Sequence, residues 1–219
     1  MKKLSIVLAL LLTLLTLFAC GEDPQEDKTI AYKPILDEYR SLVLAFRDGQ
    51  PLDYDAWEAL GFVEVSYYEY KEGNLGYALK DINGDGVPEL LLLDKEGWGN
   101  PGEPSIYVLY TLKDGKPVML GQYWSRSRGH LAADGTIYTV GSSSAFSTYL
   151  DSYQLEAGAG ELTHLTEYYT DIDDNEIQFW VKVVDGREVP ITEAEFDALV
   201  PQYETPASLM NFDFIPIEP

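Results

Sequence analysis

Little in this chain can carry covalent or transition-metal chemistry. Among 219 residues there is one Cys and there are two His, so an intramolecular disulfide and a thiolate metal cluster are excluded, and imidazole for a zinc site or a catalytic triad is scarce. Basic residues are also few, 15 Lys plus Arg against 37 Asp plus Glu, for a formal charge of −22. A nucleic-acid partner is excluded on that ground, because phosphates would meet a repelling surface. Apolar residues are not lacking. They form 46% of the chain and aromatic residues 13%, enough surface to bury that a core, not a disordered chain, is expected.

One apolar stretch is placed for export. Lys2 and Lys3 precede a run from Leu4 to Ala19 that only Ser5, Thr13 and Thr16 interrupt, and Cys20 follows directly. This layout predicts a signal peptide over residues 1–19, because the run is short for a spanning helix and ends on a small residue. Leu17-Phe18-Ala19-Cys20 resembles the lipobox of bacterial lipoproteins. That resemblance implies lipidation of Cys20, membrane attachment through the lipid, and residence on the extracytoplasmic face of the cell membrane. A Cys buried in an N-terminal helix is the alternative. Residues 20–29, with the acidic stretch Gly21 to Asp27, are expected to act as a solvated tether, and residues 30–219 as one domain.

The domain opens on a helical pattern, with Ile35, Tyr39, Leu42, Val43 and Phe46 on one face, Pro34 suited to a first turn and Gly49 to a left-handed stop. A shorter helix is expected over Tyr54 to Leu60. Alternation then takes over at Val63, Val65 and Tyr67 and at Tyr77 and Leu79, which indicates strands. Turn signals follow at Asn83-Gly84-Asp85-Gly86, Asp114-Gly115, Asp134-Gly135, Gly158-Ala159-Gly160 and Asp185-Gly186, and each suits a hairpin because glycine accepts positive φ. Near the end, Thr192 and Glu195 are spaced for a capping box, Ile191 and Phe196 for a hydrophobic staple, and Pro201 for a helix stop. The expected fold is α+β, mainly an antiparallel hairpin meander, sandwich-like or partial-propeller-like, with an N-terminal helix and a short C-terminal one.

One motif carries ion chemistry. Asp81-Ile82-Asn83-Gly84-Asp85-Gly86-Val87-Pro88-Glu89 offers side-chain oxygens at its first, third, fifth and ninth positions, with the Val87 carbonyl between. Calcium takes six to eight hard oxygens, and alternate positions of a tight loop point inward. The twelfth position, where an EF-hand has glutamate, is Leu92 within four leucines, so a strand follows. The segment is similar to the calcium loops of FG-GAP and VCBS-type repeats, over about fifteen residues. That similarity implies a structural Ca2+ with Asp81, Asn83, Asp85 and Glu89 as side-chain ligands. The wider arrangement also resembles uncharacterised surface lipoproteins of Gram-positive bacteria, which implies no activity. A plain hairpin turn with solvated acids is the alternative. Asp171, Asp173, Asp174 and Glu176 alternate similarly but lack a glycine, which favours a solvated loop.

For ligands, Trp98 stands in a loop-forming segment where it could stack on a sugar or anchor a protein, or fold back over the sheet edge. Trp124, Arg126 and Arg128 form the densest positive charge, suited to an anion or to local carboxylates. Gly141-Ser-Ser-Ser144-Ala145 lacks the following helix of a nucleophile elbow. The expected function is a lipid-anchored, calcium-supported, non-catalytic binder of a glycan or a protein. The alternative is a hydrolase of envelope or extracellular polymers acting through carboxylates that sequence does not single out.

Overall fold

The computed structural model describes residues 24–51, 53–61, 73–95, 104–211 and 213–217, with side chains from residue 30 onward. The chain divides into Met1–Ile30 and Ala31–Pro219, and the described strands all belong to the second unit. Cys20, Val63, Val65, Tyr67 and Trp98 lie outside the described residues.

Helix α1, Pro24–Arg47, begins ten residues before the expected Pro34, which lies inside it. The earlier start has a local reason. Pro24 suits a first helical turn. Helix α2, Tyr54–Ala59, is capped by Asp53, whose side chain accepts from the Ala56 N–H. Helix α3, Glu193–Glu204, has the full capping box between Thr192 and Glu195 and runs through Pro201 for one more turn. Buried Tyr203 and the bond from Thr205 N–H to the Pro201 carbonyl hold that turn.

The described strands are β1 (Leu75–Lys80), β2 (Glu89–Asp94), β3 (Ser105–Lys113), β4 (Lys116–Gln122), β5 (Ser127–Leu131), β6 (Ile137–Ser142), β7 (Thr148–Leu155), β8 (Leu162–Ile172), β9 (Gln178–Val184), β10 (Arg187–Ile191) and β11 (Ile215–Pro216). They form one antiparallel sheet in the order β10-β9-β8-β7-β6-β5-β3-β2-β1-β11, with β4 paired to β3. The fold is thus a β-rich α+β meander. The Asp-Gly turns act as expected: Asp114 with Gly115 and Asp185 with Gly186 all take positive φ, the geometry that matches strand twist in a two-residue hairpin.

Strand β2 is buried on both faces because its two faces meet different layers. Leu90 and Leu92 pack with Tyr39, Val43 and Trp57 of the helices, while Leu91 and Leu93 join Ala78, Ile137 and Leu155 on the other side. Burial of each such leucine stabilises by about 1.5–3 kcal/mol. A third cluster seats Phe196 and Tyr203 of α3 on Val140 and Leu150. The helices therefore cover one face, and the sheet curls around the other. In a flat sheet β1 and β6 would stand about 19 Å apart, four strand spacings, yet a Cβ on Gly135, just before β6, would collide with the Ile82 carbonyl just after β1.

Candidate metal centre

The Asp81–Glu89 loop joins β1 to β2 and is organised by its own acids. Asp81 accepts from Gly84 N–H through Oδ1 and from Gly86 N–H through Oδ2, both at 2.8 Å. Asn83 Oδ1 accepts from Asp85 N–H at 3.1 Å, and Asp85 Oδ1 from Val87 N–H at 2.8 Å. Gly84 and Gly86 take φ of 75° and 79°, which the reversal requires and a side chain resists. A carboxylate oxygen that accepts one such bond keeps a further lone pair for a cation. These bonds alone would serve a plain turn equally well.

Glu89 is what a plain turn does not require. Its side chain is fully buried, with Oε2 accepting from Ile82 N–H at 3.0 Å and Oε1 from the Thr111 hydroxyl at 2.9 Å. Among the described residues no salt bridge neutralises it. Burial pushes its carboxyl up to about 7, against the pull of those two hydrogen bonds, and the negative charges of Asp85 and Asp81 push the same way. A buried carboxyl with two acidic neighbours is a setting that a hard cation would relieve.

Two distant turns brace the loop. Asp85 Oδ2 accepts from Gly158 N–H at 2.9 Å, and Asn83 Nδ2 donates to the Glu156 carbonyl at 3.4 Å, both from the β7–β8 turn. Lys113 Nζ donates to the Gly158 carbonyl at 2.6 Å, tying in the β3–β4 end. Gly135 of the β5–β6 turn rests on the Ile82 carbonyl. Tyr32 of α1 donates to the Pro88 carbonyl at 3.0 Å. Sequence reading identified each of these turns as a hairpin but not their meeting, because nothing in local turn chemistry reports the curl of the sheet.

The donor set is oxygen-only and suits calcium in kind. Among the described residues no three His, Cys, Asp or Glu side chains converge closely enough to hold a metal by themselves. An ion here would therefore also need the Asn83 amide oxygen and backbone carbonyls such as that of Val87.

The remaining candidates separate. Trp124 is 39% exposed, and its backbone pairs with Ser127. Arg126 is exposed, while Arg128 pairs with Glu204 of α3 at 3.1 Å, a carboxylate distant in sequence. Asp171 lies within β8 opposite Phe179, and Asp173 to Glu176 belong to the β8–β9 connection, where Asp173 Oδ1 accepts from Ile177 and Asn175 N–H, and those bonds hold its carboxyl below the usual range. Glu176 takes the positive φ there that no glycine supplies. Ser144 accepts from Phe146 and Ser147 N–H in a tight loop before β7, with no helix after it.

No family model matches this chain, and no curated protein matches it. Among solved structures, a chain titled "Structure of a Xanthomonas Type IV Secretion System related protein" is similar at 18% identity over 58% of this chain, with a TM-score of 0.30. The match spans 62% of that protein's length, and a likeness this slight bears on neither fold detail nor function. Among the described residues no helix is long and apolar enough to cross a membrane.

Proposed function

We propose that this protein is a lipid-anchored extracytoplasmic binding module, non-catalytic, whose Asp81–Glu89 loop holds one structural calcium ion. Asp81, Asn83, Asp85, Val87 and Glu89 supply the oxygens, Cys20 carries the lipid, and the ligand is a glycan or a protein. The observation that carries the calcium reading is the fully buried Glu89 carboxylate beside Asp81 and Asp85, with hydrogen bonds but, among the described residues, no salt bridge to offset it. Calcium there would act as a clamp: Asp85 already reaches the Gly158 turn, so an ion on Asp85 would stiffen three turns together. On the same reading the curled meander is sandwich-like, with β1–β3 and β5–β8 facing each other across the cluster of Ala78, Leu91, Ile137 and Leu155.

The test is the melting temperature with excess calcium and with chelator, for the wild type, Asp81→Ala and Asp85→Ala. A ligand at about a hundred times its Kd adds about 2.7 kcal/mol to stability, which for a domain of this size raises Tm by roughly 5–10 °C. That rise is expected in the wild type and lost in both variants. A wild type indifferent to calcium, or variants that keep the full rise, would refute the ion site.

A further inference from the structure

Away from the loop, a cavity of about 470 Å3 opens on the curled face, with Tyr123, Thr139, Tyr149, Asp151, Tyr153 and Glu161 among its walls. Register explains the grouping. Thr139 stands opposite Asp151, Gly141 opposite Tyr149 and Ile137 opposite Tyr153 across the β6–β7 pair, so these side chains share one face of the pleat. Glycines let two of the rings lie against the backbone: a Cβ at Gly129 would fall 2.7 Å from the Tyr123 ring, and one at Gly141 would collide with Tyr149. Tyr153 is stacked on His164, with centroids 4.7 Å apart and planes 18° apart.

The charged side chains lining this cavity are of one sign. Asp151 and Glu161 contribute carboxylates, and no Lys or Arg is among the described lining residues. Asp151 stands 3.3 Å from His164 Nε2. Thr139, 6% exposed, has a buried hydroxyl with no hydrogen-bond partner among the described residues. Native structures seldom leave such a group unpaired without a reason.

We propose that this cavity binds a small organic ammonium ligand, one or two sugar rings in size, with Asp151 and Glu161 facing its charge and the tyrosines facing its frame. Acidic walls without a basic residue, in a chain of net charge −22, repel anions and concentrate cations. Aromatic faces attract an ammonium group further. The volume lies within the range of small-molecule sites. The proposal deepens the reading of the domain as a binding module by naming the charge its ligand carries, and it does not depend on calcium.

The test is isothermal titration of the purified full chain, in calcium-replete buffer of constant ionic strength, with glucosamine, cadaverine and, as the uncharged frame, glucose. Saturable binding of at least one amine is expected, with glucose at least tenfold weaker. Asp151→Asn should weaken amine binding at least tenfold while leaving the calcium-dependent Tm rise in place. Glu161→Gln, at an exposed position, provides a second variant should Asp151→Asn fail to fold. Glucose binding as tightly as the amines, no binding by either amine, or amine affinity unchanged in both variants would overturn the proposal. An intact calcium response in those cases leaves the ion site standing, whereas loss of that response with amine binding retained refutes the ion site alone.

Discussion

Replacing Glu89 by Gln should stabilise the calcium-free protein at pH 8 and do so much less at pH 5. The isostere fills the same space. Its Oε1 can accept from Ile82 N–H, and its amide can donate to Thr111 Oγ1, which turns from donor to acceptor. What it removes is the buried charge. Raising a carboxyl from 4.5 to about 7 sets about 3 kcal/mol against its ionised form, at about 1.36 kcal/mol for each pH unit. Between those two values the folded protein holds a proton on Glu89 that the unfolded chain has released. Stability therefore falls as pH rises across that window and is level above it. The variant lacks this loss, so a gap in Tm should open between pH 5 and pH 8, reaching roughly 6–12 °C for a domain of this size. Calcium narrows the gap. An ion at the loop favours the ionised carboxylate, so at pH 8 the wild type gains stability from calcium and Glu89→Gln gains less. Thermal denaturation of both proteins across pH 5–8, with calcium and with chelator, measures all four corners. A variant no more stable than the wild type at pH 8 in chelator, or a gap equal at both pH values, would refute a buried, desolvated carboxylate as the source.

Two further substitutions test the framework. Gly135→Ala should cost about 2 kcal/mol or more by chemical denaturation, since φ is 84° and the new methyl group meets the Ile82 carbonyl, while Gly158→Ala, at φ 69° with open space around it, should cost only about 1 kcal/mol. Equal costs would contradict the contact between the β5–β6 turn and the loop. Thr192→Ala removes the hydroxyl that caps Glu195 N–H and should cost about 1 kcal/mol, read as a lower denaturant midpoint with unchanged slope; an unchanged midpoint would show that the cap contributes nothing.

Sequence was informative where one stretch of backbone decides its own geometry. Asp114-Gly115 and Asp185-Gly186 reverse the chain at adjacent residues, and Thr192 with Glu195 satisfy donors three residues apart, so a few residues are enough to specify each. The helix ends were less legible for a related reason. Whether α1 starts at Pro24 or near Pro34 turns on which of two prolines takes the first turn, and whether α3 stops at Pro201 on the burial of Tyr203, which competes with proline's local preference.

The ion loop and the cavity differ in the same way. Alternating oxygens and a glycine from Asp81 to Glu89 form a contiguous signal. The second signal at that loop, the burial of Glu89 beneath Thr111, becomes visible only once β3 lies beside β2. The cavity has no contiguous signal at all. Tyr149, Asp151 and Tyr153 alternate along β7, and nothing in that spacing marks a cavity. They become walls of a cavity because Gly129 and Gly141, on neighbouring strands, leave space for rings, and because the sheet curls instead of lying flat. Glycine in a strand interior weakens the strand, so two of them beneath two tyrosines on one face are a cost to folding, and a site that needs those rings laid flat accounts for it.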